Sequence, residues 1–375
     1  MRSSGILSEI KESQFYFNLY FDIIKTVLTN VLKRGATNHY LFLINLFYEA
    51  IDANEDPPSS ICKRGNNMTH GTHDAVEDPR NEDVLIYVNG ELVPRQEARI
   101  SVFDSGYLVG DGVWEAVRLH KGVLVFLDQH LDRLWKAAAT VGMDLKMSRE
   151  ELVDKIWRTL GANDMNDNVH VRFMLTRGIK KTPSQDPRLT ISGPNLVIIA
   201  EYKVASKETK EKGITLFTST IRRGSPDYLD PRLNCHSKIH EVQALIQALE
   251  AGADEALMLD INGFVSTCNA TNFFMVTEGE VWTSTGQYCM NGVTRGNIIR
   301  ICEGNGIPCR QKNFSLFDVY GADEAFVTGT FGGVTPVTEV DGRTIGKGEY
   351  GEISRKLSSL YEQLIESEVK RINNE

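Results

Sequence analysis

The feature that most constrains the fold is an alternation of short β-branched runs with helix-type segments, which begins at Val84. The runs VLIYVNG, GVLVFL, VHVRFMLTRG and NLVIIAEY are separated by turn residues, a pattern typical of strands in one sheet. Between them, LDQHLDRLWKAAATVGM has helical spacing, and SREELVDKIWRTL opens with Ser148 and Glu151, the pair that forms a capping box. We therefore predict a small α/β domain over residues 83–202.

The second half of the chain repeats this mixed pattern. The runs ITLFTS, EALMLD, NFFMV and EAFVTGT predict strands, and helices are expected after Lys238 and after Gly292. Strands with irregularly placed helices favour a mixed, α+β-like α/β fold over an alternating parallel barrel. We predict a large α/β domain over residues 203–350 and a C-terminal helix over 351–375.

The first 82 residues differ from the rest. Residues 1–51 have helical apolar spacing and predict a helical N-terminal appendage, whereas residues 52–82 are rich in Pro, Gly, Asn and Asp and predict a disordered linker. The apolar stretches before residue 52 are interrupted by Asp22 and Lys25 or are too short to cross a bilayer as a helix. A clear targeting signal is lacking at the start, and import into an organelle stays open.

Charge and cysteine content narrow the class of partner and the compartment. The net charge is −9 and the basic residues are scattered, which argues against nucleic acid as a partner and favours small molecules. Six cysteines without a CxxC pair indicate reduced thiols rather than disulfides or a zinc site. We expect an intracellular protein, cytoplasmic by default, with no membrane partner.

Two glycine-containing segments have the features of an anion site. Gly292 precedes a helix whose first amides, those of Val293 and Thr294, lack partners within the helix and are therefore available to a phosphate. In FVTGTFGGVTPV, Gly329 and Thr330 end a strand where backbone and hydroxyl groups can approach an anion. An ordinary helix start explains the first segment equally well.

The motifs GYLVGDGVWEAVRL, HLDRL, NGVTR and TGT follow one another in the order found in one family. Residues 84–345 resemble the class IV, or fold-type IV, pyridoxal-phosphate (PLP) aminotransferases, which include branched-chain and D-amino-acid aminotransferases. The resemblance implies two α/β domains with the PLP site between them, a homodimer, and an amino acid and a 2-oxo acid as substrates. It assigns the cofactor phosphate and the substrate side, respectively, to Arg133, Val293, Thr294 and Thr330, and to Trp114, Glu115 and Lys180.

The chain departs from this family at the lysine that forms the Schiff base with PLP. Counted back from Gly252 without a gap, the lysine column falls on Asn234, and Lys238 lies four residues later. Lys238 is the candidate Schiff-base lysine if a gap is allowed, and a solvated lysine at a helix start otherwise. We expect Ser237 to cap this helix, and Ile239, Val242, Leu245, Ile246 and Leu249 to anchor it in the core.

A second departure lies in DINGFVSTCNATNFFMV. The resemblance implies a glutamate that keeps the pyridine nitrogen of PLP protonated, and Thr267 occupies its column. A hydroxyl cannot hold that proton as a carboxylate does.

Three functions remain open from the sequence alone. The first is a PLP-dependent aminotransferase-like protein acting on branched-chain or D-amino acids, since the arginine and histidine typical of D-amino-acid enzymes are absent after TRG and the handedness is undecided. The second is a catalytically impaired homologue that binds PLP or another phosphorylated ligand. The third is a PLP-dependent lyase or racemase. His236 and His240 could share a helix face, but no third ligand is evident and we expect no metal.

Overall fold

The computed structural model describes residues 71–75 and 77–374. The helical appendage expected over residues 1–51 and most of the linker expected over 52–82 lie outside the described residues. Each helix within the described ranges is too short or too polar to span a bilayer.

The first half of the described chain builds one antiparallel sheet of six strands in the order β2-β1-β6-β5-β3-β4. The strands are β1 (Leu85–Val88), β2 (Glu91–Pro94), β3 (Gly112–His120), β4 (Val123–Val125), β5 (Val169–Thr176) and β6 (Asn195–Tyr202). The four β-branched runs identified in the sequence are β1, β4, β5 and β6 of this sheet, so that prediction is confirmed.

Three helices accompany this sheet. They are α1 (Ser105–Val109), α2 (Leu127–Thr140) and α3 (Arg149–Ala162). The predicted capping box of α3 is present, because the Ser148 hydroxyl accepts from the Glu151 amide and the Glu151 carboxylate accepts from the Ser148 amide. Leu134, Leu152 and Ile156 of α2 and α3 are fully buried in the same apolar cluster as Val117 and Phe173 of the sheet, and this burial holds the helices on it.

The second half of the described chain builds a mixed nine-stranded sheet in the order β12-β11-β10-β13-β14-β7-β8-β9, with β15 paired to β14. The strands are β7 (Ile214–Thr218), β8 (Glu255–Leu259), β9 (Val265–Cys268), β10 (Asn272–Thr277), β11 (Glu280–Thr283), β12 (Cys309–Gln311), β13 (Glu324–Gly329), β14 (Gly333–Val340) and β15 (Arg343–Thr344). The helices are α4 (Lys207–Lys212), α5 (Ile239–Glu250), α6 (Val293–Gly304), α7 (Leu316–Tyr320) and α8 (Glu352–Asn373). Two sheets with irregularly placed helices are the mixed α/β fold expected from the sequence, and the division into domains near residue 203 stays a prediction.

Helix α5 differs from the sequence expectation in two ways. Its N-cap residue is Lys238, and Ser237 instead donates its hydroxyl to the Gly110 carbonyl at 3.3 Å. The expected anchors Ile239 and Val242 are 60% and 49% exposed, whereas Ala244 and Ala248 are fully buried. The buried face of α5 is therefore made of small residues, which the search for large apolar side chains overlooked.

The expectation of a disordered linker does not hold for its described part. A 3-10 helix spans Pro79–Glu82, and Ala75 forms a β-bridge with Ala205. The Thr72 amide and hydroxyl both donate to Oε1 of Glu255, a carboxylate that is only 3% exposed. These hydrogen bonds fix the backbone at Thr72, which composition alone could not reveal.

Candidate functional site

One cavity of about 730 Å³ brings most of the predicted site residues together. Its wall contains all four residues assigned to the phosphate: Arg133, Val293, Thr294 and Thr330. Trp114, Glu115 and Asn234 line the same cavity. The six-stranded sheet, the start of α6 and the end of β13 supply most of these side chains.

Glu115 of β3 positions Arg133 of α2. Its buried carboxylate accepts from Nε of Arg133 at 2.5 Å and from Nη2 at 2.8 Å, and Nδ1 of His130 lies 2.7 Å from Oε2 of the same carboxylate. His130 and Arg133 are three residues apart on α2, and this spacing directs both side chains to one carboxylate. Burial alone would raise the pKa of Glu115, but the charge of Arg133 and the hydrogen bonds from Arg133 and His130 outweigh it and lower the pKa to about 2.

The start of α6 provides backbone donors at the cavity wall. Its N-cap residue, Gly292, has no side chain that could occupy the first amides of the helix, and Val293 and Thr294 follow. A Cβ atom at Gly292 would collide with Oδ1 of Asn272, so glycine is required at this position for packing. The Thr294 hydroxyl lies 3.2 Å from the Tyr361 hydroxyl, which leaves the backbone amide as the group that Thr294 can offer to an anion.

The end of β13 forms the neighbouring part of the wall. Thr328, Gly329 and Thr330 all line the cavity. The Thr328 hydroxyl is buried and has no hydrogen-bond partner within the described chain. A buried hydroxyl without a partner costs folding free energy, which a bound ligand can recover.

Asn234 lies where the family lysine was expected, and it lines the cavity. The segment that contains it runs beside β3: Trp114 N donates to Asn234 O at 3.1 Å, and His236 N donates to Gly112 O at 2.9 Å. The Asn234 amide nitrogen donates to Trp114 O at 2.7 Å, and its Oδ1 is buried without a partner among the described residues. Asn234 is thus bonded to the residue immediately before Glu115.

Lys238 lies in a different place. It lines a separate pocket of about 90 Å³ together with Arg223, Tyr228 and Glu241. Its Nζ is 3.7 Å from Glu241 Oε1 and 6.0 Å from the centroid of the Trp114 ring. Burial lowers the pKa of Lys238, and the charge of Glu241 opposes that effect. The lowered pKa agrees with the sequence expectation, but the structure does not bring this amine into the cavity that contains Arg133.

Thr267 of β9 lies behind the cavity wall. Its hydroxyl donates to the Thr271 carbonyl at 2.8 Å and lies 3.4 Å from Nδ2 of Asn272. Thr271 and Asn272 line the cavity, whereas Thr267 is not part of the lining. The proton of this hydroxyl is therefore already used within the protein.

The two remaining substrate-side residues have different roles. Trp114 lines the cavity, and its ring carries the guanidinium of Arg172 at 4.0 Å from the centroid. Lys180 is only 1% exposed, donates to the Asp186 carbonyl at 3.1 Å, and is not part of the cavity lining. Its burial and its backbone partner make it a structural lysine in this conformation.

Several cavity residues escaped the sequence analysis. His170, Arg172 and Met174 alternate along β5 with buried apolar residues, and all three line the cavity. This period of two was a usable signal, because polar side chains that alternate with a buried face must share the opposite face. Arg99 and Lys203 also line the cavity but lack such a pattern.

The histidine pair does not form a metal site in this conformation. Nε2 of His236 is buried without a partner in the described chain, while the His240 ring lies edge-on to Tyr228 at 6.4 Å. Across residues 71–75 and 77–374, no group of three or more His, Cys, Asp and Glu side chains has the arrangement of a metal site.

Comparison with known proteins identifies the family. Residues 112–340 match the family model of class IV amino-transferases. The chain is 40% identical over 286 residues to branched-chain-amino-acid aminotransferase-like protein 2 of Arabidopsis thaliana, covering 76% of this chain and 51% of that protein. It is 36% identical over 280 residues to a putative branched-chain-amino-acid aminotransferase of Methanocaldococcus jannaschii, covering 74% and 96%. D-alanine aminotransferases are also among the relatives.

A solved structure gives the same result. A branched-chain amino acid aminotransferase from the source abbreviated T.th., solved with pyridoxamine 5′-phosphate, superposes with a TM-score of 0.71 at 28% identity, covering 76% of this chain and 94% of that one. The chain spans about half the length of the two Arabidopsis relatives that it matches. The fold, the motif order and the match over residues 112–340 agree, and the protein belongs to the class IV aminotransferase family.

Proposed function

We propose that the protein binds PLP in the 730 Å³ cavity and transfers an amino group between an amino acid, of the branched-chain or D-amino-acid class, and a 2-oxo acid. The observation that carries this proposal is the convergence of Arg133, Val293, Thr294 and Thr330 on that single cavity. The relatives are named aminotransferases, which favours amino transfer over the lyase or racemase chemistry that the sequence left open.

The donor set fits the phosphate of PLP. A dianion needs a guanidinium, backbone amides and hydroxyls, and Arg133, the start of α6 and the end of β13 supply these three kinds of group. The Thr328 hydroxyl, buried without a partner in the described chain, is a further group that a ligand can satisfy. When bound, PLP supplies an aldehyde that condenses with amino groups and a ring that withdraws electrons from the substrate.

The opposite wall suits a carboxylate. Arg172 lies over Trp114 and has no carboxylate within ion-pair distance among the described residues, while Arg95 is 3.5 Å from Glu201. Burial, followed by the charges of Lys203 and Arg172, lowers the pKa of His170 to about 3, so its ring is neutral at pH 7. Arg99, Arg172 and Lys203 therefore give this wall a positive charge that attracts the carboxylate of an amino acid or a 2-oxo acid.

A second candidate function is favoured by one observation. Asn234 lines the cavity at the position of the family lysine, while Lys238 lies in the separate pocket beside Glu241. A protein with this arrangement binds PLP without a covalent link and transfers amino groups slowly or not at all. For Lys238 to serve as the covalent lysine, the start of α5 would have to rearrange.

An amino-transfer assay tests the proposal. The purified protein is incubated with PLP, 2-oxoglutarate and either L-leucine or D-alanine, and the new 2-oxo acid is measured by mass spectrometry. Product formation that Arg133→Ala abolishes supports amino transfer. Saturable PLP binding without product supports the second candidate, and the lack of both rejects the proposed site.

We further propose a homodimer. Large apolar side chains are exposed on two adjoining segments, residues 102–109 and 228–242, which meet where Ser237 contacts Gly110. Tyr107 is 72% and Tyr228 is 77% exposed, and apolar patches of this kind mark association surfaces. Light scattering of the wild type and of a Tyr107→Glu, Val242→Glu double variant tests this, with a dimer expected only for the wild type. The free thiols of the five cysteines in the described chain support a cytoplasmic compartment.

A further inference from the structure

We propose that Asn234 makes the cavity selective for the amine form of the cofactor, a phosphorylated aromatic amine, over the aldehyde form. This inference rests on the proposed function, because it assumes that the cavity binds a phosphorylated pyridine. It concerns which of the two forms the protein holds in the absence of substrate.

The orientation of the Asn234 amide is fixed by its partner. Nδ2 donates to the Trp114 carbonyl at 2.7 Å, and the opposite orientation would place two acceptor oxygens against each other. Oδ1 is consequently the free end of the amide, and it is buried without a hydrogen bond from any residue that the structure describes. The protein thus keeps an unused acceptor at the position where the family pattern has an amine.

The position of this acceptor relates it to the phosphate site. Asn234 is bonded to Trp114, and the next residue of β3, Glu115, holds Arg133. In PLP and in pyridoxamine 5′-phosphate, the reactive group is on the ring carbon next to the one that bears the phosphate arm. A ligand whose phosphate contacts Arg133 therefore has its reactive group close to the wall that contains Asn234.

The two forms differ in what they can offer to that wall. An amine donates hydrogen bonds and satisfies Oδ1 of Asn234, whereas an aldehyde oxygen only accepts and leaves two acceptors facing each other. A covalent bond to a lysine would normally compensate the aldehyde form. Lys238 lies outside the cavity and Lys203 is 4.6 Å from the centroid of the Phe331 ring, at the wall that carries Arg172.

Isothermal titration of the ligand-free, full-length protein with pyridoxamine 5′-phosphate and with PLP tests the inference. We expect the amine form to bind about tenfold more tightly, the effect of one hydrogen bond to a charged donor. Asn234→Leu, which has a similar volume but lacks the acceptor, is expected to reduce this ratio to about one. Asn313→Leu is the matched control, because Asn313 lies outside the cavity lining, and it should keep the wild-type ratio.

Equal or tighter binding of PLP by the wild type overturns the inference, and so does a preference that persists in Asn234→Leu. If that variant does not fold by circular dichroism, Asn234→Asp replaces it; Asp keeps the acceptor and must keep or increase the preference for the amine. If neither form binds the wild type, the proposed function itself fails, which is distinct from an absence of preference.

Discussion

The Glu115 carboxylate holds the Arg133 guanidinium through two hydrogen bonds, from Nε at 2.5 Å and from Nη2 at 2.8 Å. This pair leaves Nη1 to contact the Asn291 carbonyl at 3.3 Å, just before the start of α6. Arg133 is therefore oriented by its partner before any ligand arrives. Glu115, which the sequence suggested for the substrate side, acts in this conformation by positioning the arginine.

Removing the carboxylate should weaken phosphate binding without touching the ligand. Glu115→Gln loses the charge that orients Arg133, and we expect PLP affinity to fall about tenfold and the free energy of unfolding to fall by about 3 kcal/mol. Fluorescence titration and urea unfolding measure the two effects. Glu280→Gln is the matched control, because Glu280 pairs with Arg310 away from the cavity. Unchanged affinity in Glu115→Gln would contradict a positioning role.

The same pair predicts a pH dependence of stability. The pKa of Glu115 falls from the ordinary value of 4.5 to about 2 in the folded protein, so the ionised carboxylate stabilises the fold above pH 4.5. That contribution is about 3 kcal/mol and disappears as the pH falls from 4.5 to 2. Unfolding experiments across this range should show a smaller acid loss for Glu115→Gln than for the wild type. Parallel curves for the two proteins would count against this linkage.

Arg133 should recognise the phosphate and not the ring. Arg133→Ala removes the guanidinium, and we expect affinity for PLP to fall about a hundredfold, the loss of a charge-assisted bidentate contact. Affinity for pyridoxal, which lacks the phosphate, should change little. Titrations with both compounds distinguish these effects, and an equal loss for both would mean that the variant had disturbed the whole cavity.

The anchor of Thr72 on Glu255 should contribute to stability. Burial raises the pKa of Glu255, and hydrogen bonds from Thr72 and Thr271 oppose that rise. Thr72→Val removes one donor from this buried carboxyl group and should lower the free energy of unfolding by about 1 to 2 kcal/mol. Urea unfolding measures this. Thr344→Val, at an exposed strand position, is the control, and equal stability of both variants would show that the anchor contributes nothing.

The fold and the phosphate site were predictable because both depend on local patterns. Strand runs, the Ser148 capping box and the glycine before α6 each appear within a few consecutive residues. Arg172 was missed although its alternation with the buried residues of β5 was visible in the sequence.

Two other features could not be obtained from the sequence. The location of Lys238 depends on Glu241, which Arg223 also contacts from an earlier part of the chain. The order at Thr72 depends on Glu255, 183 residues away. Both follow from tertiary contacts that no local pattern encodes.

The most direct measurement for the central claim, that Asn234 occupies the lysine position at the cofactor cavity, is borohydride reduction in the presence of PLP followed by peptide mapping. We predict no stoichiometric phosphopyridoxyl label on any lysine of the wild type, and a single label at position 234 in Asn234→Lys that Arg133→Ala suppresses. A stoichiometric label on Lys238 or Lys203 of the wild type, or no label at position 234 in the variant, would contradict that claim.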